Sequence, residues 1–306
     1  MKGAKSANYW QIDHELKNLC PSKGAEVLKS ADAWENIPWA REYFKGKPKE
    51  GYFIWVKEQT DSPIFSCVSI SSDKIKQEMQ NLLVVEKGLQ VKLQGTCSSL
   101  QPSKGGIHKA QGKIILKDKA FLQYDHVHSW GSKNVVWPEY DFILGKEAKL
   151  EYSYKMISSP KDIKVITKVE LAEKASCILK LAADCRLIRA EMEDSVFLKG
   201  KGSSGQINLK IVAREGSKIL ARSIISAQAE SVGHLDCQGL LVDPGKGKDQ
   251  PVLKMAPQLD CRNSKAQLTH EAAIGRISSE QLDYLRMRGL SEKEAIDLVI
   301  NGFFAA

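Results

Sequence analysis

From residue 51 onward, apolar and polar side chains alternate with a period of two, polar turns cut the run at intervals, and no helical crossover separates the segments. A period of two belongs to strands with one buried face. Tyr52–Val56 and Ile64–Ile70 are the first candidates. In the second, Ile64, Ser66, Val68 and Ile70 share one face, and Phe65, Cys67 and Ser69 share the other, where Cys67 reads as a small core residue. Between residues 112 and 222 the pattern repeats loosely, each unit being a polar turn, a small residue and then a strand. The small residues Ala120, Ala148, Ala175, Ser195 and Ser217 lie 28, 27, 20 and 22 positions apart. Self-similarity at that period predicts stacked rungs, each burying its neighbour's face. Missing crossover helices argue against a doubly wound sheet. A mainly β chain remains, either a right-handed parallel β-helix or an antiparallel sandwich; the unequal rungs and repeated turn chemistry favour the β-helix, over residues 51–269.

The flanks differ. Residues 1–50 read as a helical or irregular region, with apolar residues of Trp10–Leu19 and Ala25–Ala40 at mixed three- and four-residue spacing. His14 there reads as a lone surface histidine. Residues 270–306 read as a C-terminal helical segment. Ser278–Gln281 has the form of a capping box, Leu282 and Leu285 give an apolar stripe, and Gly289 is the expected stop. Ser291–Glu294 is a second box, opening a helix whose Ala295, Ile296, Val299 and Ile300 make an apolar face. Phe303 and Phe304 either cap the stack or dock another protein.

The net charge of +8 is spread along the chain, and aromatic residues are 7% of it. Nucleic-acid binding instead concentrates basic residues and interleaves aromatics on one face, so no nucleic-acid partner is expected. No stretch approaches the apolar length of a membrane span. The basic start of the chain is not followed by an apolar region, which predicts a cytoplasmic protein whose seven cysteines are thiols.

Several residues carry metal or thiol chemistry. His126 and His128 alternate on one strand and share a face, with Asp125 on the other. Such a pair can bind a transition metal if a third ligand exists; a solvent-facing or hydrogen-bonded pair is the commoner arrangement. Cys177 and Cys185, eight residues apart, do not have a zinc or iron–sulfur spacing, and Cys177 reads as packing. Cys97 stands at a strand end before the loop Gln101–Gly106. Cys261, His270 and Glu271 bring a thiol, an imidazole and a carboxylate into eleven positions. On a β-helix, the strand through Cys237 would run one rung, about 4.8 Å, from that stretch.

Ala266–Ile277, Leu282–Glu292 and Ile300–Phe303 closely resemble the C-terminal signature of the SufB/SufD family, scaffold subunits for iron–sulfur cluster assembly. The resemblance implies a right-handed parallel β-helix with C-terminal helices that dock an ABC-type SufC-like ATPase, through Leu282, Leu285, Ile296, Val299, Phe303 and Phe304. Cys237 matches the family cysteine ahead of a Leu–Leu–Val strand, His270 the histidine of the His–Glu–Ala motif, and Glu271 the adjacent acid. Having cysteine and histidine in one polypeptide implies a homodimer that builds the interface site twice, in a compact, archaeal-type member of the family. Its cargo would be a transient iron–sulfur cluster passed to acceptor proteins. Cys261 has no counterpart and is either a fourth ligand or a core thiol. A mixed cysteine, histidine and carboxylate set suits a scaffold that must release its cluster, and a protonated His270 would favour the thiolate. No phosphate-binding loop is present, so ATP hydrolysis belongs to a partner and the chain itself is not expected to be an enzyme. Two other readings are a β-helix enzyme acting on acidic polysaccharide and a metal-free interaction module.

Overall fold

The computed structural model describes residues 6–243, 245 and 247–305, so the basic start of the chain and two positions of the loop Asp243–Lys248 lie outside it. Strands β1 (Asn8–Ile12), β2 (Glu15–Cys20) and β3 (Ala25–Lys29) precede helix α1 (Ser30–Asn36) and a 3-10 turn, Pro38–Tyr43. Next come β4 (Tyr52–Val56), β5 (Ile64–Ile70), β6 (Lys76–Val85), β7 (Gln90–Ser99), β8 (Ile107–Leu116) and β9 (Phe121–Ser129). They are followed by β10 (Val135–Leu144), β11 (Lys149–Ser158), β12 (Asp162–Leu171), β13 (Ser176–Cys185) and β14 (Arg189–Leu198). The last are β15 (Ser204–Ala213), β16 (Lys218–Ala227), β17 (Val232–Leu241), β18 (Val252–Cys261) and β19 (Gln267–Arg276), before α2 (Ser279–Met287) and α3 (Glu292–Ala305).

From β4 onward, consecutive strands alternate between two sheets. Odd strands from β5 to β19 pair in parallel in one stack, and even strands from β4 to β18 in the other. The molecule is therefore a β-solenoid whose every turn gives one strand to each sheet. The column of small residues is real but runs Ala120, Ala148, Ala175, Ser203, Ser231, each buried and each directly before an odd strand. Its steps are 28, 27, 28 and 28 residues. Ser195 lies inside β14 and Ser217 before β16, so the shorter expected steps mixed the two sheets. Lys119, Glu147, Lys174 and Gly202, one position ahead of four of these residues, are left-handed, with φ of 60, 58, 55 and 72°. A left-handed residue turns the chain sharply, and the small side chain after it fits the inside of the corner.

The lumen is filled by the alternating inward residues of both sheets. Tyr124, Tyr140, Phe142 and Tyr152 form an aromatic layer, with the rings of Phe142 and Tyr152 5.0 Å apart. Gly95 and Gly112 make room for it: a Cβ on Gly95 would meet the Tyr124 hydroxyl at 2.8 Å, and one on Gly112 the Tyr140 ring at 2.9 Å. Outside, the charges pair across rungs, as in Lys109–Glu78 and Lys146–Glu173. These exposed pairs contribute little stability each but keep the surface solvated.

The flanks correct the sequence reading. Trp10–Leu19 is not helical. β1 and β2 form an antiparallel hairpin through Asp13 (φ 56°), and β1 pairs in parallel with β5. Tyr9 and Gln11 are buried while Trp10 is exposed, a period of two that mixed apolar spacing concealed. β3 adds antiparallel to β4, and only Ser30–Asn36 and Pro38–Tyr43 are helical. Ala33, Ile37, Ala40 and Phe44 of that segment pack on Phe53, Leu82, Val84 and Ile115, the outer face of the even sheet. His14 is exposed, as expected, with Nδ1 3.2 Å from Glu50 Oε2. Cys67 is not core: it lies half-buried on the outward face of β5. At the other end, residues 270–276 are strand, and helix begins only at Ser279, because Gln267–Arg276 pairs with β17. Ser278 makes no side-chain cap bond, whereas the Ser291–Glu294 box is formed, with Ser291 N and Oγ 2.8 and 2.7 Å from Glu294 Oε2. Gly289 stops α2 with φ 98°.

One lumenal column is polar. Thr167, Asp194 and Ser223 occupy the same register on β12, β14 and β16, all buried. Burial pushes the Asp194 carboxyl up to about 7, with the Thr167 hydroxyl acting against it. The folded state therefore holds a proton that the unfolded chain gives up near pH 4. Stability from this group is complete below about pH 4 and is lost as pH rises through about 7. Replacing Asp194 by Asn, which removes the ionisation, should abolish that decline, raising stability at pH 8 by up to about 4 kcal/mol relative to the parent chain. Denaturant midpoints of both chains at pH 5 and pH 8 measure it; equal pH slopes would refute the assignment.

Candidate functional site

The solenoid is uncovered at its C-terminal end. β18 and β19 are the last strands of their sheets, and no strand among the described residues pairs with their outer edges. Register decides what this end presents. Leu235, Cys237 and Gly239 of β17 point into the lumen, and their partners on β19 are His270, Ala272 and Ile274. Ala227 of β16, also lumenal, pairs with Cys261. His270, Ala272, Ile274 and Cys261 thus continue buried columns, yet all four are solvent-exposed, because among the described residues no further rung lies over them.

Cys237 sits one rung below the opening and is buried, with Ala272, whose side chain is a single methyl, directly over it. His270 occupies the adjacent inward position on the covering strand. As expected of adjacent rungs, the strand through Cys237 runs beside the one carrying His270 and Glu271. Cys261 is exposed rather than core, with Sγ 3.4 Å from the Asn263 carbonyl oxygen. Glu271 goes elsewhere. It pairs with Asp236 on the outward face, where its Oε1 lies 3.4 Å from His234 Nε2. Adjacent residues of a strand point to opposite faces, so His270 and Glu271 cannot share one side.

The thiol environment reverses an expectation. Burial pushes the Cys237 thiol up to about 11, the neighbouring Ser223 hydroxyl acting against the shift and Asp194 and Asp236 adding to it. His270 and the basic side chains do not make it a ready thiolate; a bound metal must displace the proton.

His126 and His128 lie deep in the lumen, both buried. They are joined there by a residue the sequence reading placed only at a strand end: Cys97 pairs with His128 across β7 and β9. The donor atoms of the three lie within 4.8 Å of one another. The rung period carries the signal that finds it, since Cys97 and His128 are 31 residues apart, close to one turn of the solenoid. Asp125 faces outward, as expected. Cys177 and Cys185 are both inward on β13 but about 26 Å apart along the strand, too far to share a ligand.

Helix α3 packs on the outer face of the odd sheet, and α2 packs against α3. Ile300, Ile296, Phe303 and Phe304 pack on Val212, Leu240, Val242 and Ile277, and Lys210 Nζ donates to the Phe303 carbonyl oxygen at 3.0 Å. Leu282, Leu285 and Val299 are half-buried. The apolar side chains these helices leave exposed are Tyr284, Met287 and Leu298. No helix among the described residues is long and apolar enough to cross a membrane.

Residues 68–303 match the family model of the SUF system FeS cluster assembly, SufBD core domain. An iron-sulfur cluster assembly SufBD family protein of Archaeoglobus fulgidus is 26% identical over 99% of this chain and 85% of its own length. The Methanothermobacter thermautotrophicus protein of that name is 23% identical over 98% of the chain and 78% of its length. A Staphylococcus epidermidis protein so named is 24% identical over 95% of the chain and 66% of its length. With a β-solenoid and the matched region extending from β5 into α3, the chain belongs to the SufBD family and has its role in iron–sulfur cluster assembly.

Proposed function

We propose that the chain is a non-enzymatic scaffold that assembles a nascent iron–sulfur cluster at an interface between two copies of itself, with Cys237 and His270 as ligands and Cys261 as a further thiol at the rim. The observation that carries this reading is the open last rung, where lumen-facing columns end in a thiol and an imidazole with no described residue pairing over them. Iron accepts thiolate and imidazole together, and a mixed set at an accessible edge suits a cluster that must leave for an acceptor protein. Glu271 lies on the outward face with His234 and is not among these ligands. Anaerobic reconstitution with iron and sulfide should give a thiolate-to-iron absorption band. Loss of that band in Cys237→Ala/His270→Ala, but not in Cys177→Ala, supports the site; an unchanged band and unchanged transfer to an apo-ferredoxin sink it.

The unpaired edges of β18 and β19 are long and carry exposed Ile274 and Val252, features that invite strand pairing by a second chain. A two-fold axis at this end would set two Cys237–His270 pairs face to face. Sedimentation should find a dimer that Ile274→Arg converts to monomer, with the cluster lost although both ligands are intact. A monomeric parent chain would refute this.

A SufC-like ATPase supplies the hydrolysis that this chain lacks, docking on Tyr284, Met287 and Leu298, the apolar side chains that α2 and α3 do not use on their own sheet. Met287→Asp with Leu298→Asp should abolish co-purification of the ATPase and leave the fold unchanged by circular dichroism. Retention of the ATPase would move the docking surface elsewhere.

A further inference from the structure

We propose that Cys97, His126 and His128 form a metal site inside the solenoid, for a soft or borderline d-block cation of the zinc type, separate from the cluster site at the open end. His126 and Cys237 occupy the same lumenal column, joined in register through Tyr154, Leu181 and Leu209. Four strand spacings, about 19 Å, separate them.

Donor geometry carries the proposal. His126 Nε2 lies 3.2 Å from His128 Nε2 and 3.5 Å from Cys97 Sγ. A tetrahedral ion with Zn–N near 2.05 Å and Zn–S near 2.3 Å sets its ligand atoms about 3.3 Å (N···N) and about 3.6 Å (N···S) apart. Two of the three separations match these values, and the third, between Cys97 Sγ and His128, is within 4.8 Å. A hydrogen-bonded pair explains less, because one imidazole nitrogen has a single in-plane valence and here faces two groups at once.

The surroundings have the form of an outer ligand sphere. His126 Nδ1 is 3.3 Å from the Tyr152 hydroxyl, and His128 Nδ1 is 3.1 Å from the Tyr154 hydroxyl. Each ring is therefore fixed through its other nitrogen, leaving Nε2 aimed inward, as metal-bound histidines are held. All three residues are buried, and burial keeps both imidazoles neutral, holding His126 down to about 3. Neutral imidazole is the ligating form. Gly95, in register with His126, supplies space: a Cβ there would lie 3.1 Å from the His126 ring. Loading breaks the Cys97 S–H bond, forms a sulfur–metal bond and releases one proton to solvent, leaving one net positive charge from a divalent ion.

The test uses the full chain carrying Cys237→Ser and Cys261→Ser, so that failure of the cluster reading and failure of this one are distinguishable. Produced in cobalt-supplemented medium and washed with EDTA, it should retain cobalt one-to-one, with a sulfur-to-cobalt charge-transfer band and tetrahedral d–d bands. Adding Cys97→Ser should remove the charge-transfer band, and His128→Gln should lower retained cobalt at least tenfold. X-ray absorption at the cobalt edge of the chain without these last changes should give one sulfur neighbour near 2.3 Å and nitrogen neighbours near 2.0 Å, whether or not the variants fold. Absence of retained cobalt, or a shell without sulfur, would overturn the site.

Discussion

Every rung of this molecule depends on the next one for cover. A strand in a parallel stack satisfies its backbone groups on two sides, and its inward side chains are buried only between rungs, so the ends are the structural problem. The N-terminal end is closed by short antiparallel additions, β2 on β1 and β3 on β4. Among the described residues the C-terminal end receives no such cover: α3 goes to the outer face, and the outer edges of β18 and β19 stay unpaired. That asymmetry leaves a regular stack with one open end.

The same geometry sorts chemical groups by parity. Alternation directs His270, Ala272 and Ile274 along the lumenal columns and sends Glu271 outward to His234. It also encloses polar groups: the column Thr167, Asp194, Ser223, and the group Cys97, His126, His128. Ser223 reaches toward Cys237, so the polar column ends beside the thiol at the open end. Buried polar groups are costly unless paired or bound, which is why each of them marks either strain or chemistry.

Much of the fold was readable because one period dominates. Two-residue alternation, small residues after tight turns and the Ser291–Glu294 box are local signals, and they became strands, corners and a capped helix. The C-terminal signature, a stretch of sequence, led to the right family. What failed was also local. Trp10–Leu19 has apolar spacing that fits a helix, but pairing of β1 with β5 decided for a strand. Ser278 sits where a cap belongs and makes no cap bond.

By itself the sequence determined the rung, its repeat and the faces on which His126, His128 and Cys237 fall, because those depend on neighbours one to four residues away. Only the tertiary structure decided which rungs lie side by side. Cys97 reaches His128 across 31 residues, Ala272 covers Cys237, and Cys261 stands clear of the core because rung lengths and loop insertions fix the register. A shift of one residue between strands would turn each of these side chains to the other face.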